Sequence, residues 1–300
     1  MVFLVVLFSI QILFGSLDLI DHYLTRHDRH NGQPVSLETV LFLVGTIGLY
    51  ALIQFGGLSL VPNIDELLLT AGAYASFLVG RPLEVQPIQG GWLFIICVSL
   101  FYLAGLWDYV VHRFMSHSRL FWFTHEYHHL PKQVFLGMPG LAARPFVVFS
   151  SFPATAATVA SAYGLLIIAG LPLWDLAPVK ILIFADVLLG ATTHSSFLRR
   201  FWWIHRLFRW TAITTPQEHV LHHTVDLQGN YGNFTVLWDH VFGTYLDPTR
   251  GEYQNRQLGL KYDQDFLGVI TLSYLKLPKA IRQRFQLHRY CNIETVDQAD

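Results

Sequence analysis

The chain has 300 residues, of which 52% are hydrophobic and only 14% charged, against about 25% charged in an ordinary soluble domain. That deficit of charge points to a bilayer, and a net charge of −1 offers nothing to a nucleic acid. Two cysteines, Cys97 and Cys291, make neither a thiolate metal site nor a disulfide framework.

In chain order, the first apolar segment is 1–20. It lacks a basic leading region and a small-residue cleavage signal, so it reads as a retained membrane helix rather than a signal peptide. Further apolar segments follow at 39–61, 67–80, 92–111, 146–172 and 178–193. About 20 apolar residues cross a bilayer. By that measure 39–61, 92–111 and 146–172 are spans, 178–193 is slightly short, and 67–80 is expected to be re-entrant or interfacial. Pro172 and Pro178 mark the turn of a hairpin over 146–193. Segment 197–213 mixes Phe, Trp and Arg and is expected in the interface plane. From Asp226 the chain turns polar and rich in Gly and Asn, and after about 280 it reads as a solvated end. The expected fold class is therefore all-α: a multi-pass transmembrane helical bundle of four or five spans, with a cytoplasmic helical cap holding a histidine-rich di-metal site. The expected divisions are N-terminal membrane helices over 1–90, a catalytic domain over 91–248 and a C-terminal cytoplasmic tail over 249–300.

The histidines give the bundle its direction. His-x-x-His-His occurs twice, as His125, His128 and His129 and again as His219, His222 and His223. His112 and His117 precede the first copy at the end of one span, and His194 stands between the copies at the end of another. If 146–193 crosses and returns, all nine meet on one side. Arg113, Arg119, Lys132, Arg144, Arg199, Arg200, Arg206 and Arg209 load that same side, so the positive-inside rule makes it cytoplasmic, and the loop 21–38 with Arg26 and Arg29 joins it. The expected location is an integral membrane protein of the endoplasmic reticulum in a eukaryote or the inner membrane in a bacterium.

Imidazole is the commonest side-chain ligand for iron, zinc and copper because its neutral nitrogen brings no charge of its own. On a helix, residues i, i+3 and i+4 share a face, yet the adjacent pair in each triplet diverges by about 100°. That divergence suits two neighbouring ions better than one. His22, His27, His30 and His288 read as scattered surface residues. Two rival readings stand beside a di-metal site. His125-Glu126-Tyr127-His128-His129 also spells H-E-x-x-H, the pattern of an intramembrane zinc metalloprotease with Glu126 as general base; the second triplet has Val220 where the glutamate would stand. A non-catalytic metal or bis-histidine haem carrier is the other.

The set His112-x4-His117, His125-x2-His128-His129, His194 and His219-x2-His222-His223 resembles the fatty acid hydroxylase/sterol desaturase superfamily. The likeness extends to Asp108-Tyr109-x-x-His112-Arg113, to TPQEHVLHH at 215–223, to GNYG at 229–232 and to LWDHVFGTY at 237–245, and covers about 105–248. It implies an integral-membrane non-haem oxygenase with two irons on the nine histidines, zinc being a possible substitute in purified protein. It implies hydroxylation or desaturation of a sterol, fatty acyl or related lipid taken from the bilayer, with O₂ and electrons from cytochrome b5 or a ferredoxin and its reductase. No nucleotide fingerprint, haem-attachment motif or cysteine set supplies an internal donor. Ligating imidazoles usually donate their second N–H to an oriented acceptor, which makes Asp108, Asn230, Asn233 and Asp239 the candidates for supporting roles. Two departures stand out: Ser196 where the pattern often has the Asn of H-x-N, and Ala143-Arg144-Pro145 where relatives carry a further histidine. His205 and His240 are extra and available to compensate.

Overall fold

A computed structural model describes residues 9–21 (except 11 and 19), 64–129, 147–253 and parts of 256–284. The expected span at 39–61, the loop at 21–38 and the Ala143-Arg144-Pro145 stretch lie outside the described residues.

The architecture is mostly helical, as expected. Helical residues within 9–21 form α1, and α2 runs Ile64–Val79. At 16 residues α2 is about 24 Å long, short of a bilayer core of about 30 Å. The central helix α3, Gly90–Val110, is apolar around its whole circumference and runs without a break into a π-helical turn at Val111–Ser116. Together Gly90–Ser116 make 27 residues. Among the described residues this is the one helix long and apolar enough to cross a membrane. The larger expected count of four or five spans is therefore not reproduced in the described part. Helix α4 is a single turn, Glu126–His129; α5 is Val147–Ile168 with Pro153 inside it; α6 is Ala177–Thr193.

The hairpin expected over 146–193 has an unexpected organisation. Helices α5 and α6 each pack chiefly against α3 rather than against one another. Leu100 of α3, Ala162, Tyr163 and Leu166 of α5, and Leu173, Leu176 and Val179 form one buried cluster. Between α5 and α6 the chain makes a two-residue strand, β2 (Leu173–Trp174), which pairs in parallel with β1 (Val85–Gln86). This small sheet is the departure from an all-α reading, and two residues carry no alternation to announce it. Arg81 donates to the carbonyl of Ile167 at 3.0 Å, joining the Gly170 amide on a carbonyl of the last turn of α5. The β1–β2 end thus ties the start of α3 to the end of α5. At the opposite end stand the last turns of α3 and α6, each leading directly into a histidine.

The 197–213 segment forms two short helices, α7 (Ser196–Arg199) and α8 (Trp202–Phe208), with a 3₁₀ turn at Arg209–Thr211. Its large apolar groups point outward: Trp203, Leu207 and Trp210 are 60%, 57% and 86% exposed, the pattern of an interfacial element. Helix α9 (Pro216–His222) is wholly buried. After it the chain folds irregularly to α10 (Leu237–Phe242), which Gly243 ends in a left-handed conformation. A last short helix, α11, spans Lys279–Arg284.

Candidate metal centre

Five residues of regular α-helix turn through about 140°, which would aim His112 and His117 apart. The π turn corrects this. The His117 amide donates to the His112 carbonyl at 3.1 Å, an i to i+5 bond that stacks the two side chains, with ring centroids 5.1 Å apart. π-Helical turns inside α-helices concentrate at functional sites.

The second triplet rides on α9, whose start is specified locally. Thr215 is the N-cap, Pro216 opens the helix, and Glu218 closes a capping box. Glu218 accepts from the Thr215 amide and hydroxyl, both at 2.9 Å, and from the Tyr245 hydroxyl at 3.0 Å. Burial pushes this carboxyl up to about 7 despite those bonds. A seven-residue helix is marginal by itself, so these contacts and the burial of every residue hold it in place.

The nine histidines converge in two groups. His112, His117, His125, His129 and His222 form one, and His128, His194, His219 and His223 the other; within each, the candidate ligand nitrogens lie within 4.8 Å of one another. The sorting follows helix geometry. In each triplet the i and i+4 residues, about 40° apart, stay together (His125 with His129, His219 with His223), while the i+3 residue crosses to the other group. Adjacent His128 and His129 are thus divided, and so are His222 and His223. Neither His205 nor His240 belongs to a group. His205 contacts the Thr215 hydroxyl at 3.2 Å and His240 stacks on Tyr245.

The fit to metal ions is tested by the nitrogens themselves. Nε2 pairs stand at 2.9 Å (His112–His125), 3.0 Å (His125–His129) and 3.3 Å (His117–His222) in the first group. In the second they stand at 2.9 Å (His194–His219), 3.1 Å (His219–His223) and 3.4 Å (His128–His194). Two nitrogens about 2.1 Å from a shared ion, and about 90° apart, lie about 3.0 Å from each other. Three rings have their remaining nitrogen committed to a backbone carbonyl: His112 Nδ1 donates to Tyr231 O at 2.5 Å, His194 Nδ1 to Gly190 O at 2.8 Å and His222 Nδ1 to Gly229 O at 3.1 Å. Those tautomers leave bare lone pairs on Nε2, facing other imidazoles. Converging lone pairs repel unless a cation sits among them. The donor set fits two ions.

Protonation does not compete at neutral pH. Burial, joined by neighbouring imidazoles, holds His125, His219 and His223 well below the ordinary value. Burial takes His194 and His222 down to about 4, in spite of the carbonyl each donates to. Metal uptake by the metal-free protein should therefore persist well below pH 6.5 and fail only toward about pH 4, since protons displace ligands only where imidazole titrates. Equilibrium binding of cobalt(II) across that range checks this. A midpoint near 6.5 would contradict it.

The supporting residues reach the histidines through the turn at 229–233. Asp239 accepts from the Tyr231 amide at 2.8 Å, the Gly232 amide at 2.9 Å and the Thr244 hydroxyl at 2.8 Å. It thereby fixes the peptide whose carbonyl orients His112. Asp108 accepts from the Asn233 amide and side chain at 2.8 and 2.9 Å, and the Asn233 side chain lies 3.2 Å from His112 Nδ1. Asn230, in a left-handed conformation that Asn tolerates, ties this turn to α9 through the Glu218 carbonyl at 2.9 Å and to Leu246. A Cβ on Gly232 would overlap the Thr235 carbonyl, so only glycine admits this close approach.

Sequence reasoning missed three contributors. The carbonyls of Tyr231, Gly190 and Gly229 carry no side-chain signal at all. Trp122 packs against His117, His125 and His129 and donates from Nε1 to the Tyr262 hydroxyl at 2.6 Å. That hydroxyl in turn donates to Glu126 at 2.6 Å.

No curated protein and no solved structure matches the chain. The fatty acid hydroxylase family model matches residues 97–244, a stretch that includes all nine clustered histidines and the whole 229–233 turn. Through residues 97–244 the chain belongs to the fatty acid hydroxylase family, within the fatty acid hydroxylase/sterol desaturase superfamily.

Proposed function

We propose that this protein is an O₂-dependent oxygenase that hydroxylates or desaturates a membrane lipid at a pair of irons. The observation that carries the reading is the division of nine imidazoles into a five-membered and a four-membered group at the ends of apolar helices. His112, His117, His125, His129 and His222 would hold one iron, and His128, His194, His219 and His223 the other. Irons so ligated supply O₂ activation strong enough to break an unactivated C–H bond, with zinc a possible occupant in purified material.

The rest is the work of the chain. The carbonyls of Tyr231, Gly190 and Gly229 fix ring orientation, and burial keeps His125, His194, His219, His222 and His223 neutral. Helix α3 and its neighbours offer a lipid an apolar approach from the bilayer. Hydroxylation joins one oxygen atom of O₂ to carbon and sends the other to water; desaturation sends both to water. Each consumes two electrons and two protons, and the electrons come from an external carrier such as cytochrome b5 or a ferredoxin with its reductase. In this reading the chain is multi-pass, with the histidine face cytoplasmic and the exposed Arg200, Arg206 and Arg209 presenting positive charge to an acidic carrier.

The protease alternative draws less support. Glu126 is engaged by Tyr262, and its flanking His125 and His129 share their group with three further imidazoles, whereas a catalytic zinc takes three protein ligands and keeps a position open.

Anaerobically purified, iron-reconstituted protein should be given total membrane lipid, O₂ and a reductase system, with products read by mass spectrometry. Two irons per chain and a lipid that gains one oxygen or loses two hydrogens is the expected result. A single tightly held zinc, with no change in any lipid when iron is supplied, would overturn the reading.

A further inference from the structure

The four-histidine group is completed by His194, and only a four-residue helix lies beyond it to hold its C-terminal side. It caps the end of α6, and the chain then turns sharply into α7, four residues long. A helix that short does not persist by its own hydrogen bonds. What fixes it comes from the opposite end of the sequence. Asp18 of α1 is fully buried, and its Oδ1 accepts from the Ser195 hydroxyl at 2.5 Å and from the Phe197 amide at 3.1 Å. Ser195, itself buried, is also the N-cap of α7, accepting from the Leu198 amide at 3.2 Å. One turn further along α1, Asp21 pairs with Arg200 Nε at 2.5 Å and accepts from the Ser196 hydroxyl at 3.3 Å. Residues three apart share a helix face. Asp18 and Asp21 therefore grip both ends of the 195–200 segment from one side of α1.

A buried carboxylate is costly unless its oxygens are bonded, so this contact is specific rather than incidental packing. Its consequence falls on one ion only. His194 Nδ1 donates to the Gly190 carbonyl on the α6 side, and the next residue along the chain is Ser195, which Asp18 holds. Helix α1 lies outside residues 97–244, where the family match runs.

We propose that α1 is a positioning element of the second metal site, Asp18 acting through Ser195 to hold His194 in the four-histidine group, with Asp21 and Arg200 as the outer clasp. This rests on the reading that the two histidine groups hold two ions. Loss of the clasp frees His194 and leaves His128, His219 and His223 to hold the second ion alone, while the five-histidine group is unchanged.

The test is metal content after iron reconstitution of the full chain, before and after a chelator challenge, with the thermal unfolding temperature recorded alongside. Wild type should retain two irons per chain. Asp18→Ala and Ser195→Ala should each retain about one, at an unfolding temperature that still marks a folded chain, and the double variant should lose no more than either alone. Asp18→Asn should retain two, because an amide oxygen still accepts both bonds. Two irons in Asp18→Ala, held as firmly as in wild type, would overturn the proposal while leaving the di-iron reading intact. Loss of both irons together would also overturn it, as the mark of a general structural role. Should Asp18→Ala fail to fold, Ser195→Ala decides in the same way. Fewer than two irons in wild type would overturn both readings.

Discussion

His128→Ala is expected to strip one ion and abolish lipid turnover, whereas His129→Ala, one residue away, weakens the other ion without emptying its site. The difference comes from which group each neighbour joins. Removing His128 leaves His194, His219 and His223, three imidazoles in a buried pocket; removing His129 leaves His112, His117, His125 and His222. The first loss takes a four-imidazole group to three and the second a five-imidazole group to four, so the first removes the larger share of its ion's ligands. Iron per chain should fall from about two to about one in His128→Ala, with product formation at background. In His129→Ala more iron should remain, and activity should drop by at least about 10–100-fold, the cost of losing merely an outer partner of a ligand. Equal iron loss in the two variants would contradict the division into groups. Elemental analysis and lipid turnover on the same preparations settle it.

The second large effect is expected at Asp239, a residue that touches no ion. Its carboxylate receives three hydrogen bonds, from Tyr231, Gly232 and Thr244, at a position with no exposure. In Asp239→Ala those donors lose their acceptor. An orphaned buried donor costs about 1–3 kcal/mol, so destabilisation of at least about 3 kcal/mol is expected. The same change frees the Tyr231 carbonyl that orients His112, and affinity at the five-histidine group should fall by about 10–100-fold. Asp239→Asn should be milder, since an amide keeps one acceptor oxygen while its NH2 faces one of the two backbone N–H donors. Thermal unfolding and metal titration of the two variants separate the stability effect from the orienting one. An Asp239→Ala variant that binds metal as wild type does would show that the 229–233 turn holds its shape without the carboxylate.

Much of the candidate site was legible because ligand chemistry is local. Imidazole spacing of i, i+3 and i+4 forces neighbours in a triplet apart by helix geometry alone, so the need for two groups follows from His128 beside His129 and His222 beside His223. The start of α9 also carries a local signal, the capping box of Thr215, Pro216 and Glu218, which went unread at the level of sequence. Other features had no local signature. The His112–His117 pair depends on a π turn, which no residue type announces. Carbonyl acceptors from Gly190, Gly229 and Tyr231 are invisible to any reading of side chains. The β1–β2 pairing is too short to leave a periodic trace, and Asp18 lies more than a hundred residues from the segment that it grips.

The sequence by itself determined the chemistry: a charge-poor chain with nine histidines at the ends of apolar segments, and supporting polar residues at Asp108, Asn230, Asn233 and Asp239. The histidine pattern follows from composition and from rotation per residue, and the polar residues from short motifs that resemble those of the family; both are local properties of the chain. Only the tertiary structure decided which histidine serves which group, that α5 and α6 both pack on α3, and that α1 reaches the second site. Those outcomes depend on contacts between residues distant in sequence, where the bonding of a buried carboxylate or the lone pair of a facing imidazole selects the arrangement, and no local pattern encodes that choice.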